Sequence, residues 1–195
     1  MFNIHHSCKI NFSFLTKTLA TALVLSCVSV QLPAQVKESS TNGFLIQSSR
    51  QVECSAEDAY RFFVEDFAKW YDASHSYTSK AENLSLDLER HCMLERLPND
   101  GFVRHMEIVF HQHGKILRMT GGLGPLQGMG VAGAMTFSFA EQEGKTKISM
   151  IYSVSGGDHL KLEKIAEPVN QVLGVQLDRF RDYCSSQKTN ADSND

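Results

Sequence analysis

A change in the spacing of apolar residues constrains the fold of this chain most strongly. In segments between residues 83 and 154, apolar and polar residues alternate, whereas from Leu160 apolar residues recur every third or fourth position. The first pattern predicts half-buried β-strands and the second an amphipathic α-helix. Short turns join the strands, so neighbours should be antiparallel. The helix carries the apolar stripe needed to cover one face of the sheet, which predicts an α+β fold.

Six strands are predicted in this region, and the turn residues between them set their limits. Asp100-Gly101 is a hairpin signal between two of the strands. The final helix should run from about residue 160 to 184, and Pro168 should kink it or split off a short first turn. The predicted strands are 83–89, 92–97, 102–111, 115–120, 134–140 and 146–154.

A further strand and one or two helices precede this region. Residues 44–54 are rich in β-formers, and Ser55 with Asp58 resembles a capping box at the start of a helix. Ala59, Phe62, Phe63 and Phe67 then recur at helical spacing. The pattern predicts either one helix or two short helices broken near residues 65–66.

The two ends of the chain are predicted to lie outside the folded domain. Residues 1–34 combine a basic flank, the short apolar stretch TLATALVLSCVSV and the small Ala34, as a secretory signal peptide does. The stretch is shorter than the roughly 20 residues needed to span a bilayer. A lipoprotein signal at Cys27 is disfavoured, because apolar residues continue after it. We expect export to the periplasm or the extracellular space, with cleavage after Ala34.

The remaining boundaries follow from polarity. Residues 35–43 are predicted as a linker, 44–184 as the domain and 185–195 as a disordered tail. After the predicted cut, acidic residues outnumber basic ones and no basic block occurs, which argues against nucleic acid as a partner. Cys92 lies in an apolar strand and should be a core residue. The sequence does not decide whether Cys54 and Cys184 form a disulfide.

The glycine-rich segment 121–133 joins two predicted strands. GMGVAG (128–133) matches the G-x-G-x-x-G pattern, but a strand follows it rather than the helix that a dinucleotide site requires. The segment is therefore either a packed connection or a lid that touches a ligand, with Gln127 as its polar contact.

Several polar residues are candidates for chemistry. His75 and Asp72 lie in the loop sequence WYDASHSY and would form an oriented acid–base pair, unless they only stabilise local turns. Arg104 and Arg118 would anchor a carboxylate or a carbonyl, unless they pair with acidic residues such as Glu95 or Glu107. His105, His111 and His113 lack the further ligands that a metal site needs, so no metal and no cofactor is expected.

Several segments together resemble the SRPBCC, or START-like, superfamily, and in particular its small exported bacterial members labelled polyketide cyclase/dehydrase-like. These segments are KWYDASHSYT, ENLSLD, GFVRHMEIVF, GKILRMTGGLGPLQGMGVAGAMTF and LEKIAEPVNQVLGVQLDRF. The resemblance covers about residues 44–184. It implies a helix-grip fold, in which about seven curved antiparallel strands surround the C-terminal helix and two short helices follow strand 1. It also implies a central apolar cavity, but no specific activity.

Our leading hypothesis is an exported protein that binds a small apolar, aromatic or lipid-like molecule. One alternative is a cyclase-, dehydratase- or hydrolase-type enzyme that uses His75 with Asp72 or Glu95. Another is a non-catalytic interaction protein of the cell envelope. The sequence identifies neither the ligand nor the oligomeric state. No stable membrane span is expected. The predicted ligand contacts are Trp70, Tyr77, Arg104, Met106, Arg118, Gln127, Phe137, Met150 and Tyr152.

Overall fold

An eight-stranded antiparallel sheet surrounds a long C-terminal helix in this computed structural model, which describes residues 33–192 and the side chains of residues 33–187. The strands are β1 (Gln35–Ser40), β2 (Gly43–Val52), β3 (Leu84–Asp87), β4 (Cys92–Arg96), β5 (Phe102–Gln112), β6 (Ile116–Thr120), β7 (Ala132–Gln142) and β8 (Lys145–Ser155). The helices are α1 (Ala56–Glu65), α2 (Phe67–Trp70) and α3 (Glu163–Asp192). The strand order is β1-β2-β8-β7-β6-β5-β4-β3.

The core lies between the sheet and α3, as the alternating pattern predicts. In β8, Met150, Tyr152 and Val154 are buried, and Ile151 between them is exposed. On α3 the apolar stripe includes Leu173, Leu177 and Phe180, which are all buried. Burial of these apolar side chains is the main contribution that holds the helix against the sheet. It stabilises the fold by about 25 cal/mol for each Å² of apolar surface removed from water. The predicted α+β helix-grip architecture is confirmed.

The two short helices after β2 close one end of the sheet. The Ser55 hydroxyl accepts a hydrogen bond from the Asp58 N–H at 3.1 Å, so the predicted cap forms. The helical segment breaks at Asp66, which confirms the alternative with two short helices. The buried rings of Phe63 and Trp70 then pack against each other at a tilt, with ring centroids 4.9 Å apart.

The structure differs from the sequence prediction at both ends of the domain. Residues 35–40, predicted as part of a linker, form β1, which pairs with β2 from Gln35 opposite Gln47. This strand is polar and exposed, and backbone pairing rather than an apolar face defines it. Helix α3 extends to Asp192 instead of ending near 184, and it continues as one helix through Pro168. The predicted signal peptide lies outside the described residues up to residue 32.

A β-bulge interrupts the alternation in β5. Met106 pairs with Met93 and Arg104 with Leu94, so His105 between them has no partner in β4. As a result His105 and Met106 are both buried, at 4% and 2% exposure. Bulges re-aim side chains in this way. Simple alternation would place Arg104 on the face of Met106, but the bulge leaves it exposed.

Candidate ligand-binding site

A cavity of about 340 Å³, partly open to solvent, lies between the N-terminal half of α3, strands β3 to β5 and the glycine-rich segment. Its volume falls at the lower end of the range of about 300–1,000 Å³ typical of small-molecule sites. The walls are mainly apolar. The lining residues are Tyr71, His75, Ser76, Leu84, Met93, His105, Leu123, Gly124, Pro125, Leu126, Met129, Ile165, Pro168, Val169, Val172 and Leu173.

The glycine-rich segment forms one wall of this cavity and is fixed to the sheet. It contains a 3₁₀ helix, Gly124–Met129, and Leu126 within it is buried. The Gln127 amide donates a hydrogen bond to the Arg104 carbonyl at 2.5 Å, beside the bulge. The segment is thus a packed connection that also forms a cavity wall, and its contact with a ligand stays a prediction. Strand β7 begins at Ala132, so a strand rather than a helix follows the glycines, as expected for a segment that is not a dinucleotide site.

Glu95 and His105 form a buried polar pair beside the cavity. Glu95 lies on β4 and is fully buried, and its Oε2 is 2.8 Å from Nε2 of His105. The Glu95 carboxylate also accepts hydrogen bonds from the Thr78 N–H at 2.6 Å, the Thr78 hydroxyl at 2.7 Å and the Tyr77 N–H at 3.2 Å. Burial alone would raise the pKa of Glu95, but these bonds outweigh it and lower the pKa to about 2. Glu95 is therefore a carboxylate at neutral pH.

The ionised Glu95 fixes one hydrogen on the His105 ring. A carboxylate only accepts hydrogen bonds, so Nε2 of His105 must carry the hydrogen that it donates. The other ring nitrogen, Nδ1, is buried and has no hydrogen-bond partner among the described residues. His105 is thus a polar residue in a largely apolar wall.

The predicted catalytic pair is not arranged as expected. The Asp72 carboxylate accepts a hydrogen bond from the Ser74 N–H at 2.9 Å, which lowers its pKa and caps the short 3₁₀ helix Ala73–His75. His75 lines the cavity, with an exposed side chain. The partner of Glu95 is His105, for which the sequence suggested only a role as a metal ligand. The hairpin was the available signal, because it places Glu95 opposite Val103, two residues from His105.

Four predicted ligand contacts lie deeper in the molecule. Trp70, Met106, Phe137 and Met150 are buried core residues that border a second void of only about 30 Å³. The Trp70 indole N–H is already bonded to the Phe62 carbonyl at 3.2 Å. Tyr71, Met93, Leu123 and Leu173 border both this void and the larger cavity.

The remaining predicted contacts do not line either space. Arg104 is paired with Glu107 at 2.9 Å, and the Arg118 Nε–H donates to the Thr136 hydroxyl at 2.9 Å on an exposed surface. Tyr77 is 62% exposed. Tyr152 and Gln127 bond to the glycine-rich segment and to β5, respectively, rather than facing the cavity.

No cluster of three or more metal-ligating side chains occurs in the described part of the chain; His111 and His113 instead pack around the ring of Tyr60. Over the same residues, no helix is both long enough and apolar enough to cross a membrane.

Comparisons with known proteins identify the fold alone. No protein-family model matches the chain, and no curated protein matches it. A protein of unknown function from Staphylococcus aureus is similar in structure, with a TM-score of 0.53 and 11% identity over 75% of this chain and 96% of that chain. A protein from Arthrobacter aurescens gives a TM-score of 0.51 and 9% identity over 78% and 93%.

Ara h 8.0201 is also similar in structure, with a TM-score of 0.51 and 10% identity over 74% of this chain and 99% of that chain. This protein belongs to the helix-grip class, so the comparison supports the fold implied by the sequence resemblance. Membership of the SRPBCC superfamily stays a prediction, because identities this low show a shared fold alone. The fold class is often ligand-binding.

Proposed function

We propose that this protein binds one small apolar or aromatic molecule in the cavity between α3, strands β3 to β5 and the glycine-rich segment. The observation that carries the proposal is the cavity itself, about 340 Å³ in volume and walled by apolar side chains from several elements. A ligand that buries about 200 Å² of apolar surface there gains roughly 5 kcal/mol. The volume favours a molecule of one to three rings over a long-chain lipid.

The position of the opening also supports binding. Val169 and Val172 on α3 lie at intermediate exposure and line the cavity, whereas Leu173 behind them is buried. The ligand would thus lie between the helix and the segment that contains Leu126 and Met129. This segment is bonded to the sheet, so much of the site is formed before the ligand binds.

The test is binding of N-phenyl-1-naphthylamine, an uncharged probe that fluoresces in apolar surroundings. We expect saturable binding by the wild-type protein and at least tenfold weaker binding by Val172→Trp, because the indole fills the cavity. Val175→Trp is the matched control, since Val175 lies one turn further along the same helix, is 46% exposed and does not line the cavity. Equal binding by all three proteins would contradict the proposal.

We also propose that the protein acts after export. The motivation is the signal-like segment before Gln35. A cut after Ala34 would leave β1 whole, because that strand begins at Gln35. It would remove the Ala34 carbonyl that accepts a hydrogen bond from Asn170 at 3.3 Å, while Asn170 keeps its bond to Glu167. The mass of the protein recovered from the export compartment tests this: it should start at Gln35, and a chain that retains residues 1–34 contradicts the proposal.

A further inference from the structure

One residue of the mainly apolar cavity wall, His105, has a polar ring atom that lacks a partner in the described part of the chain. Nδ1 of His105 is buried and unpartnered among the described residues, and the His105 ring borders the cavity with an exposure of only 4%. Buried polar atoms in folded proteins are nearly always hydrogen-bonded, and an exception calls for an explanation. A group that enters the cavity can supply the missing partner.

The His105 ring is held in place from behind. Its Nε2–H donates to Glu95, whose carboxylate is itself fixed by three hydrogen bonds from Tyr77 and Thr78. The β-bulge leaves His105 unpaired between Arg104 and Met106, which both pair with residues of β4, and it turns the His105 side chain inward. Nδ1 is therefore held in a fixed position rather than carried on a freely rotating ring.

We infer that His105 recognises a hydroxyl group on the ligand, through a hydrogen bond between Nδ1 and a phenolic or alcoholic hydroxyl. This inference rests on the proposed binding function and narrows it to neutral aromatic or alicyclic alcohols. A hydrocarbon of the same shape would fill the cavity but leave Nδ1 without a partner.

The charge of the lining favours a neutral ligand over an ionic one. The lining residues include no lysine, arginine, aspartate or glutamate, so no permanently charged side chain lines the cavity to pair with an ionic ligand. The Glu95 charge lies directly behind His105 and would repel a ligand carboxylate or phosphate. Glu95 already accepts four hydrogen bonds, so it is not free to bind a ligand ammonium group.

The experiment compares 2-naphthol with 2-methylnaphthalene, which has nearly the same shape but no donor. Both compounds are titrated against bound N-phenyl-1-naphthylamine in the wild-type protein, His105→Phe and His75→Phe. The ratio of the two dissociation constants is compared between proteins, so that differences in hydration of the free compounds cancel. We expect the preference for 2-naphthol to fall about tenfold in His105→Phe, the effect of one hydrogen bond. His75→Phe, which changes the other histidine of the lining, should keep the wild-type ratio.

A second measurement uses only the wild-type protein, in case His105→Phe does not fold. The ¹⁵N resonance of His105 Nδ1 should shift on addition of 2-naphthol, because hydrogen bonding changes its shielding, and should stay nearly constant with 2-methylnaphthalene. An unchanged ratio in His105→Phe, or the same Nδ1 response to both compounds, overturns the role of His105 and leaves the binding function standing. A preference lost in His75→Phe instead also overturns it. Failure of both compounds to bind overturns the binding function itself.

Discussion

The hydroxyl of Tyr152, fully buried on β8, accepts a hydrogen bond from the backbone N–H of Leu123 at 3.1 Å. The same hydroxyl donates to the Gly121 carbonyl at 3.4 Å. Tyr152 therefore fixes the first residues of the glycine-rich segment to the centre of the sheet. Because Leu123 lines the cavity, this contact sets the position of one wall.

Tyr152→Phe should loosen this wall without opening the core. The substitution removes only the hydroxyl, which leaves the Leu123 N–H without its partner and costs about 1–3 kcal/mol of unfolding free energy. Hydrogen exchange should accelerate at residues 121–131, and N-phenyl-1-naphthylamine should bind more weakly. Tyr77→Phe, at an exposed tyrosine, is the control and should change neither exchange in this segment nor stability. Unchanged exchange in Tyr152→Phe would show that the hydroxyl does not hold the segment.

Gly133→Ala should destabilise the protein, whereas Gly128→Ala should not. A Cβ at position 133 would clash with the carbonyl oxygen of Gly121, whose N–H in turn bonds to the Gly133 carbonyl at 2.9 Å. A Cβ at Gly128 meets nothing within 4 Å. We expect Gly133→Ala to lower the unfolding free energy by about 1–3 kcal/mol, measured by urea denaturation. Equal midpoints for the two variants would contradict this close approach.

Glu95 should make the unfolding free energy depend on pH in the acid range. The pKa of Glu95 falls from an ordinary 4.5 to about 2 in the folded protein, so the unfolded chain binds the proton more readily. Its contribution is complete above pH 4.5 and is lost as the pH falls toward 2, a change of roughly 3 kcal/mol. The unfolding free energy of Glu95→Gln should therefore vary less over this range than that of the wild type. The control, Glu107→Gln at an exposed ion pair, should keep the wild-type slope, and an equally steep curve for Glu95→Gln would contradict the pKa assignment.

The Cys54 thiol contacts Cys184, and this contact, together with burial, raises the pKa of Cys184. We expect diamide to join them, because two thiols in contact need little movement to form a bridge. The bridge would close a long loop and stabilise the protein by up to about 4–5 kcal/mol. A peptide map under non-reducing conditions and the thermal midpoint measure both effects. Cys92→Ser should behave as the wild type; a bridge that includes Cys92, or no bridge, contradicts the prediction.

Much of the fold could be predicted because apolar periodicity reports which face of an element is buried. The strand predicted at 115–120 appears as β6, and the break between the two short helices falls at Asp66 as expected. Strand β1 could not be recognised in this way, because nearly all its side chains are exposed and its pairing depends on the backbone.

The site was harder to predict, because it depends on local departures from periodicity. The bulge at His105 reverses the faces that simple alternation assigns, so Arg104 turns outward and His105 turns inward. Periodicity also does not report depth: Phe137 and Met150 face the interior, but there they border only the small void. Whether such residues line a cavity depends on the distance between the sheet and the helix, which no short sequence pattern encodes.

The most direct test of ligand binding is the location of a bound probe by nuclear Overhauser effects. With N-phenyl-1-naphthylamine added to methyl-labelled protein, we predict contacts from the probe to the methyl groups of Leu126, Val169 and Val172. Contacts only to Val109 and Ile151, which are exposed valine and isoleucine side chains on the sheet, would place the probe outside and contradict the account.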